Sequence, residues 1–455
     1  MRIFILWIVF SSMLSAQEKE DSLTIRKIYT YHLTQSNSYN NLHSICKDIG
    51  GRLSGSPQAA KAIEWAKQAM LKAGADTIYL VPCMVPHWVR GTKEKCQLLD
   101  KDKPKSLAVC ALGGSVPTPE QGIQAKVIEI SSFEELEKAG AEKVKGNIVF
   151  YNVSFDQSFV YTGNAYGKAV KYRSGASLAA KYGAVASVTK SMTTSDNDFP
   201  HTGVMRYDTL VKSKIPAFAV SAKGAAALSK ALSQNKNLEL FLYSDCKTLS
   251  DELSYSVVGE IRGKKTPNEV IVVGGHLDSW DLGEGAHDDG AGIVQTVELI
   301  SAFKNLGISN KRTIRCIAYM NEENGTRGGQ AYEKLAAKEN KTHIAALESD
   351  MGGFSPRAIG VDAKQDTLLY YKKWQSLFDP YFVSIKQGGG GEDISELKKL
   401  GVSQFSLEPD SQRYFDFHHS ADDVFENVNE RELELGAAAI SSFVYLLDKY
   451  GTYKK

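Results

Sequence analysis

GGHLDSWDLGEGAHDDGAG, residues 274–292, is the stretch whose reading decides the fold. The run before it, Val270 to Val273, is β-branched throughout and predicts a buried strand. Behind it, Ile293, Val294, Val297, Ile300 and Phe303 recur at helical spacing. A strand therefore ends near Gly274, glycines and polar residues fan out, and a helix begins near Ala291. In an open α/β sheet, ligands collect at this carboxyl edge of the strands. His276 and Asp278, two residues apart, leave the strand on one side.

Working outward, strands are predicted over 256–261, 270–274, 312–320, 343–348 and 402–407. Helices are predicted between them, near 291–303, 327–338, 365–378 and 429–447. Such alternation predicts an α/β fold, a mainly parallel doubly wound sheet flanked by helices. Upstream, Ser56 and Pro57 open a helix that Gly74 closes, and a strand follows from Thr77. Residues 122–243 carry their own short strands and two alanine-rich helices, as an inserted module would. Within them, a helix is predicted near 175–182 and a strand over 185–188, and the polar residues between such elements across 161–208 read as exposed loop. The expected division is a signal peptide at 1–16, an N-terminal part of the main domain at 17–121, the insert at 122–243 and the main domain at 244–455. Residues 17–56 are expected to wrap the body.

The 455 residues carry a formal net charge of +1, which gives no electrostatic footprint for nucleic acid. Arg2, the apolar run Ile3 to Phe10 and small residues up to Ala16 describe a secretory signal. A membrane span needs about 20 apolar residues, so no span is expected after signal cleavage, and the chain is expected to be secreted or periplasmic. The six cysteines include no CxxC pair. Cys316 lies in an apolar strand as a buried thiol, and a Cys83–Cys96 or Cys96–Cys110 bridge stays open.

The other predicted strand ends carry chemistry too. Glu322 and Glu323 follow one strand, Asp350 another, and His419 lies near the C-terminal edge of the sheet. Each alone has a bland reading: a satisfied histidine, a solvated acidic loop, an N-capped turn. Together they offer histidine and carboxylate ligands suited to zinc. So many converging carboxylates repel one another unless cations neutralise them, and two divalent ions would do so.

HxD, DDGAG, NEExGxRGG, ESD and HHS together resemble the co-catalytic dinuclear zinc exopeptidases, the family of leucyl aminopeptidases and glutamate carboxypeptidases. GRLSGSP, RSGASLAAKYGAVASV, PHTG and GGGEDISEL extend the resemblance over nearly the whole mature chain, nearest the carboxypeptidase Q branch. The resemblance implies two zinc ions, one held by His276 and Asp350, the other by Glu323 and His419, with Asp288 bridging them. It implies Glu322 as general base, Asp278 orienting His276, Asp423 doing the same for His419, and a cis Asp288–Asp289 peptide. It makes residues 122–243 a protease-associated-type insert that walls the substrate cavity. His201 is then expected to reach the cleft, and Gly390 and Asp393 of the glycine run to meet the substrate backbone. His287 and His418, each beside a ligand, are read as non-ligands. The implied activity is hydrolysis of dipeptides or short peptides, by a chain that can pair as a homodimer. Alternatives are an aminopeptidase of the same family, a glutaminyl cyclase, and a non-enzymatic ectodomain; the full ligand set argues against the last two.

Overall fold

The computed structural model describes residues 2–99 and 104–453, with side chains from Gln17 onward. The signal-peptide expectation lies outside the residues whose side chains are described. One eight-stranded sheet is built from β1 (Thr77–Val85), β2 (Glu252–Ile261), β3 (Thr266–His276), β4 (Arg312–Tyr319), β5 (Thr342–Glu348), β6 (Pro356–Val361), β7 (Ser384–Gln387) and β8 (Ser403–Pro409). Its order is β1-β2-β4-β3-β5-β8-β6-β7. The centre, β4-β3-β5-β8, is parallel, as is the β6–β7 pair, whereas β1–β2, β2–β4 and β8–β6 are antiparallel. The sheet is thus mixed, with the expected parallel core.

Five helices matter here: α1 (Arg2–Gln35), α2 (Pro57–Ala73), α3 (Ala291–Asn305), α4 (Arg327–Lys338) and α5 (Glu430–Tyr450). Successive residues of β3 point into different cores. Ile271 and Val273 pack with α2, α3 and α5, while Val270 and Val272 pack with Tyr332 and Ala336 of α4. Both faces are therefore covered, which is why β3 reads as unbroken β-branched sequence. Ser56 caps α2 by accepting from Ala59 N at 3.1 Å, and Asn429 caps α5 by accepting from Glu432 N at 3.1 Å. Residues 17–35, part of the segment expected to wrap the body, are helical. They belong to α1, which lies along α5 with Ile25, Ile28, Tyr29 and His32 buried at helical spacing.

A second eight-stranded sheet starts at Glu94, ahead of residue 122. The reason is pairing: Glu94–Leu99 runs antiparallel to Glu239–Ser244, with Cys96 opposite Leu242, so the chain segments entering and leaving the module zip together. Its own core contains Leu98, Phe150, Val188, Phe218 and Leu240. The segment 161–208 holds the helix and strand expected near 175–182 and 185–188, but its remaining polar residues do not form a simple exposed loop. It contains the helices Thr162–Ala169 and Gly175–Lys181 and the strand Ala186–Lys190, and His201 and Thr202 are buried. Its small polar residues are used internally, as where Ser191 Oγ donates to Val220 O (2.8 Å) and accepts from His201 N (2.8 Å). All six cysteines are free, buried thiols, so neither bridge left open by the sequence forms. Among the described residues no helix is long and apolar enough to cross a membrane.

Candidate metal centre

Because β4, β3 and β5 are adjacent and parallel, their carboxyl ends lie side by side. His276 is the last residue of β3, Glu322 and Glu323 leave β4, and Asp350 leaves β5. Asp288 and Asp289 lie in the turn before α3, joined by a cis peptide bond. The Asp289 carboxylate ties this turn down, accepting from His276 N at 3.1 Å and Gly292 N at 2.9 Å. That carboxylate fills the space where a side chain at Gly275 or Gly292 would stand.

Asp288 faces a histidine with each oxygen. Its Oδ1 is 3.0 Å from His276 Nε2, and its Oδ2 is 3.1 Å from His419 Nε2. Asp350 Oδ1 lies 3.3 Å from His276 Nε2, and Glu323 Oε2 lies 3.0 Å from His419 Nε2. Two clusters share Asp288: His276–Asp288–Asp350, and Asp288–His418–His419, each with ligand atoms within 4.8 Å of one another. His418 stacks on His419 with ring centroids 3.5 Å apart, but its Nε2 is 3.7 Å from Asp288 and it makes no ion pair with Glu323.

The donor set fits zinc. Tetrahedral ligands about 2.0–2.1 Å from zinc stand about 3.3 Å apart, close to these nitrogen–oxygen separations. Asp288 Oδ2 and Asp350 Oδ1 are buried, and neither makes a well-aligned hydrogen bond with the imidazole nitrogen it faces. The titration pattern asks for positive charge. Burial alone would depress the His276 imidazolium, but the Asp350 and Asp288 carboxylates hold it well above its usual range. His419 is lifted to about 9 by Glu323 and Asp288 despite its burial. Burial, then neighbouring carboxylates, pushes Glu322 well above the carboxylate range.

The supporting contacts differ from expectation in two places. His276 Nδ1 faces the backbone carbonyl of Asp278 at 2.9 Å, not its carboxylate. That carboxylate accepts from Asn321 N (2.6 Å) and Glu322 N (3.1 Å) instead, because β4 ends beside β3 and aims two free N–H groups at it. Likewise Asp423 does not reach His419. It accepts from His287 N (2.7 Å) and Asp288 N (3.2 Å), holding the backbone of the turn. His419 Nδ1 faces Thr202 O of the second module at 3.4 Å. Trp280 N donates to Glu323 Oε1 at 3.1 Å.

Two further residues went unnoticed in the sequence. Arg52, fully buried, donates to the carbonyls of Leu277 (2.6 Å), Glu284 (2.7 Å) and Gly285 (3.0 Å), bracing the loop between His276 and Asp288. Thr202 is the other; PHTG and GRLSGSP were the signals that contained them. Asp281 and Glu284 face away, paired with Arg90 and Lys47 at 2.7 Å each. His201 is buried, its Nδ1 2.7 Å from His418 O. Gly390 lines a 710 Å³ cavity that also contains Asp350. Asp393 is buried, outside that lining, with neither carboxylate oxygen hydrogen-bonded.

The model of peptidase family M28 matches residues 256–444. Carboxypeptidase Q of Xenopus laevis is 36% identical over 94% of this chain and 89% of its own length. A crystal structure of a peptidase M28 precursor from Shewanella amazonensis superposes with a TM-score of 0.90 at 31% identity, covering 96% of this chain and 98% of that one. A zinc aminopeptidase from Bacillus subtilis shares the fold, with a TM-score of 0.65 at 20% identity over 93% of this chain and 97% of that one. The chain belongs to peptidase family M28 and is a zinc-dependent metallopeptidase of the exopeptidase class.

Proposed function

We propose that the protein is an exported dinuclear zinc exopeptidase that hydrolyses dipeptides or short peptides, in the manner its likeness to carboxypeptidase Q suggests. The observation that carries this reading is Asp288, with one oxygen near each of two histidines that themselves sit beside different carboxylates. His276 and Asp350 would hold one ion, Glu323 and His419 the other, and Asp288 both. Zinc held there supplies Lewis acidity that activates water near neutral pH and polarises the scissile carbonyl.

Glu322 is the general base in this reading. It is half-buried, and its backbone is fixed by the Asp278 carboxylate. Its side chain takes the proton from the attacking water and delivers it to the leaving amine. The chain division supports a role for the second module as the protease-associated-type insert, since Thr202 reaches the His419 ring. The aminopeptidase alternative uses the same groups and differs in which substrate terminus is read. Incubating the zinc-loaded protein with dipeptides, their N-acetyl forms and their C-amides tests the proposal. Cleavage of unblocked dipeptides into free amino acids is expected, with loss on C-amidation. Tolerance of C-amidation with loss on N-acetylation would make it an aminopeptidase, and no cleavage at all would refute the peptidase role assigned to these residues.

A further inference from the structure

We infer that the 710 Å³ cavity beside Asp350 is a specificity pocket for a substrate residue with a positively charged side chain, lysine or arginine, with Glu348 and Glu392 selecting the charge. The inference rests on the exopeptidase reading above and adds a substrate class to it. Glu348, Asp350, Glu392 and Glu408 contribute carboxylates to the lining, and Lys386 and Lys398 contribute ammonium groups. Both lysines are already committed. Lys386 Nζ is 2.6 Å from Glu408, and Lys398 Nζ is 2.7 Å from Asp362, which lies outside the lining. Asp350 faces His276. Glu348 and Glu392 are left, among the described residues, without a cation within ion-pair distance.

Glu348 is the decisive group. Its side chain is buried at 1% exposure, Oε2 accepts from Ile394 N at 3.0 Å, and Oε1 has no hydrogen-bond partner. A buried carboxylate with an open acceptor is costly unless a donor or cation meets it. The cavity wall is shaped around this acid. A Cβ at Gly391 would collide with the Glu348 carboxylate, so only glycine lets the loop pack against it. Gly389 and Gly390 hold left-handed backbone, φ 86° and 96°, which keeps side chains out of the cavity at those positions. The space that results is large enough for a long side chain, and an acidic one would meet like charge there.

The second module supplies part of the wall. Tyr161 lines the same cavity. It is held there from both neighbours: Gln412 Nε2 donates to Val160 O at 2.6 Å, and Thr162 Oγ1 donates to Ser411 O at 2.7 Å.

The test compares peptides that differ in one charge: Lys-Ala against Nε-acetyl-Lys-Ala and norleucyl-Ala, and Ala-Lys against Ala-norleucine, with Ala-Glu and Glu-Ala as acidic controls. The zinc-loaded wild type is expected to favour lysine over its neutral analogues at one of the two positions by about tenfold or more in kcat/KM, the scale of one desolvated charge contact, and to disfavour glutamate there. Glu348→Gln, which keeps an acceptor for Ile394 N, and Glu392→Gln, at an exposed position, are each expected to shrink that ratio several-fold, with zinc content measured alongside. Equal rates for lysine and norleucine at both positions overturn the inference. So does a ratio unchanged in both variants, or a dependence on the α-amine alone, in which Nα-acetylation abolishes cleavage while lysine and norleucine remain equal. Failure to cleave any peptide of the panel, lysine-containing ones included, would instead refute the exopeptidase reading beneath it.

Discussion

Thr202 donates its backbone N–H to His419 O at 2.9 Å, while its own carbonyl faces His419 Nδ1 at 3.4 Å. A backbone segment of the second module thus clasps a histidine of the candidate metal centre at the main sheet's edge. The clasp uses main-chain atoms, so Thr202→Ala should keep it. Thr202→Pro removes the N–H and is expected to weaken zinc binding about 10–100-fold, the usual scale for groups that orient metal ligands. Titration of the apo protein with zinc, read by metal-competition fluorescence, checks both variants.

Asp278 predicts a different loss. Its carboxylate fixes Asn321 N and Glu322 N rather than the His276 ring. Asp278→Ala should therefore lower kcat, by about 10–100-fold, with little change in zinc stoichiometry. A drop in bound zinc with kcat per bound metal preserved would return Asp278 to the role of ligand orienter.

Arg52 supports the site from below by donating to three buried carbonyls. A lysine there lacks the planar fork that reaches all three. Arg52→Lys is expected to cost on the order of 3 kcal/mol, as buried carbonyls lose their donors, and denaturant unfolding measures it.

A buried acidic pair outside the candidate metal centre predicts a pH effect. Glu298 of α3 and Glu434 of α5 meet near the end of α1, where Tyr31 Oη donates to Glu298 (2.9 Å), Ser38 Oγ donates to Glu434 (3.2 Å), and His32 is buried against Ser441. Burial lifts each acid from 4.5 to about 7, and Glu298 adds repulsion at Glu434. Between roughly pH 4.5 and 7 the folded chain keeps protons that the unfolded chain has released, so these groups lower stability as pH rises through that window. Glu434→Gln should be more stable than wild type at pH 8 by about 2 °C or more in Tm, and the gap should close at pH 5. A gap independent of pH would contradict the assignment.

Much of this architecture was legible in the sequence. The β-branched run before His276 and the apolar period after Ala291 fixed β3 and α3, and every residue assigned as a ligand comes from a strand end or turn at one edge. What eluded the sequence depends on backbone atoms. Nothing in a side-chain pattern tells that the carbonyl of Asp278, not its carboxylate, meets His276, or that Asp423 holds a turn's N–H groups. Within 161–208 the polar residues outside the expected helix and strand misled, because serines and threonines that satisfy one another's backbone look the same, in sequence, as residues facing water. The early start of the second sheet was hidden for a related reason: the pairing of 94–99 with 239–244 joins residues far apart in the chain.

The central claim is that Asp288 joins two zinc ions and that Glu322 acts on water without holding metal. Elemental analysis of dialysed wild type and Glu322→Gln, paired with dipeptide turnover, tests it most directly. The account predicts two zinc ions per chain in both proteins and turnover lowered by at least about a thousandfold in the variant, the upper range for loss of a general base. One zinc per chain in the wild type, or substantial turnover in Glu322→Gln with its metal intact, would contradict it.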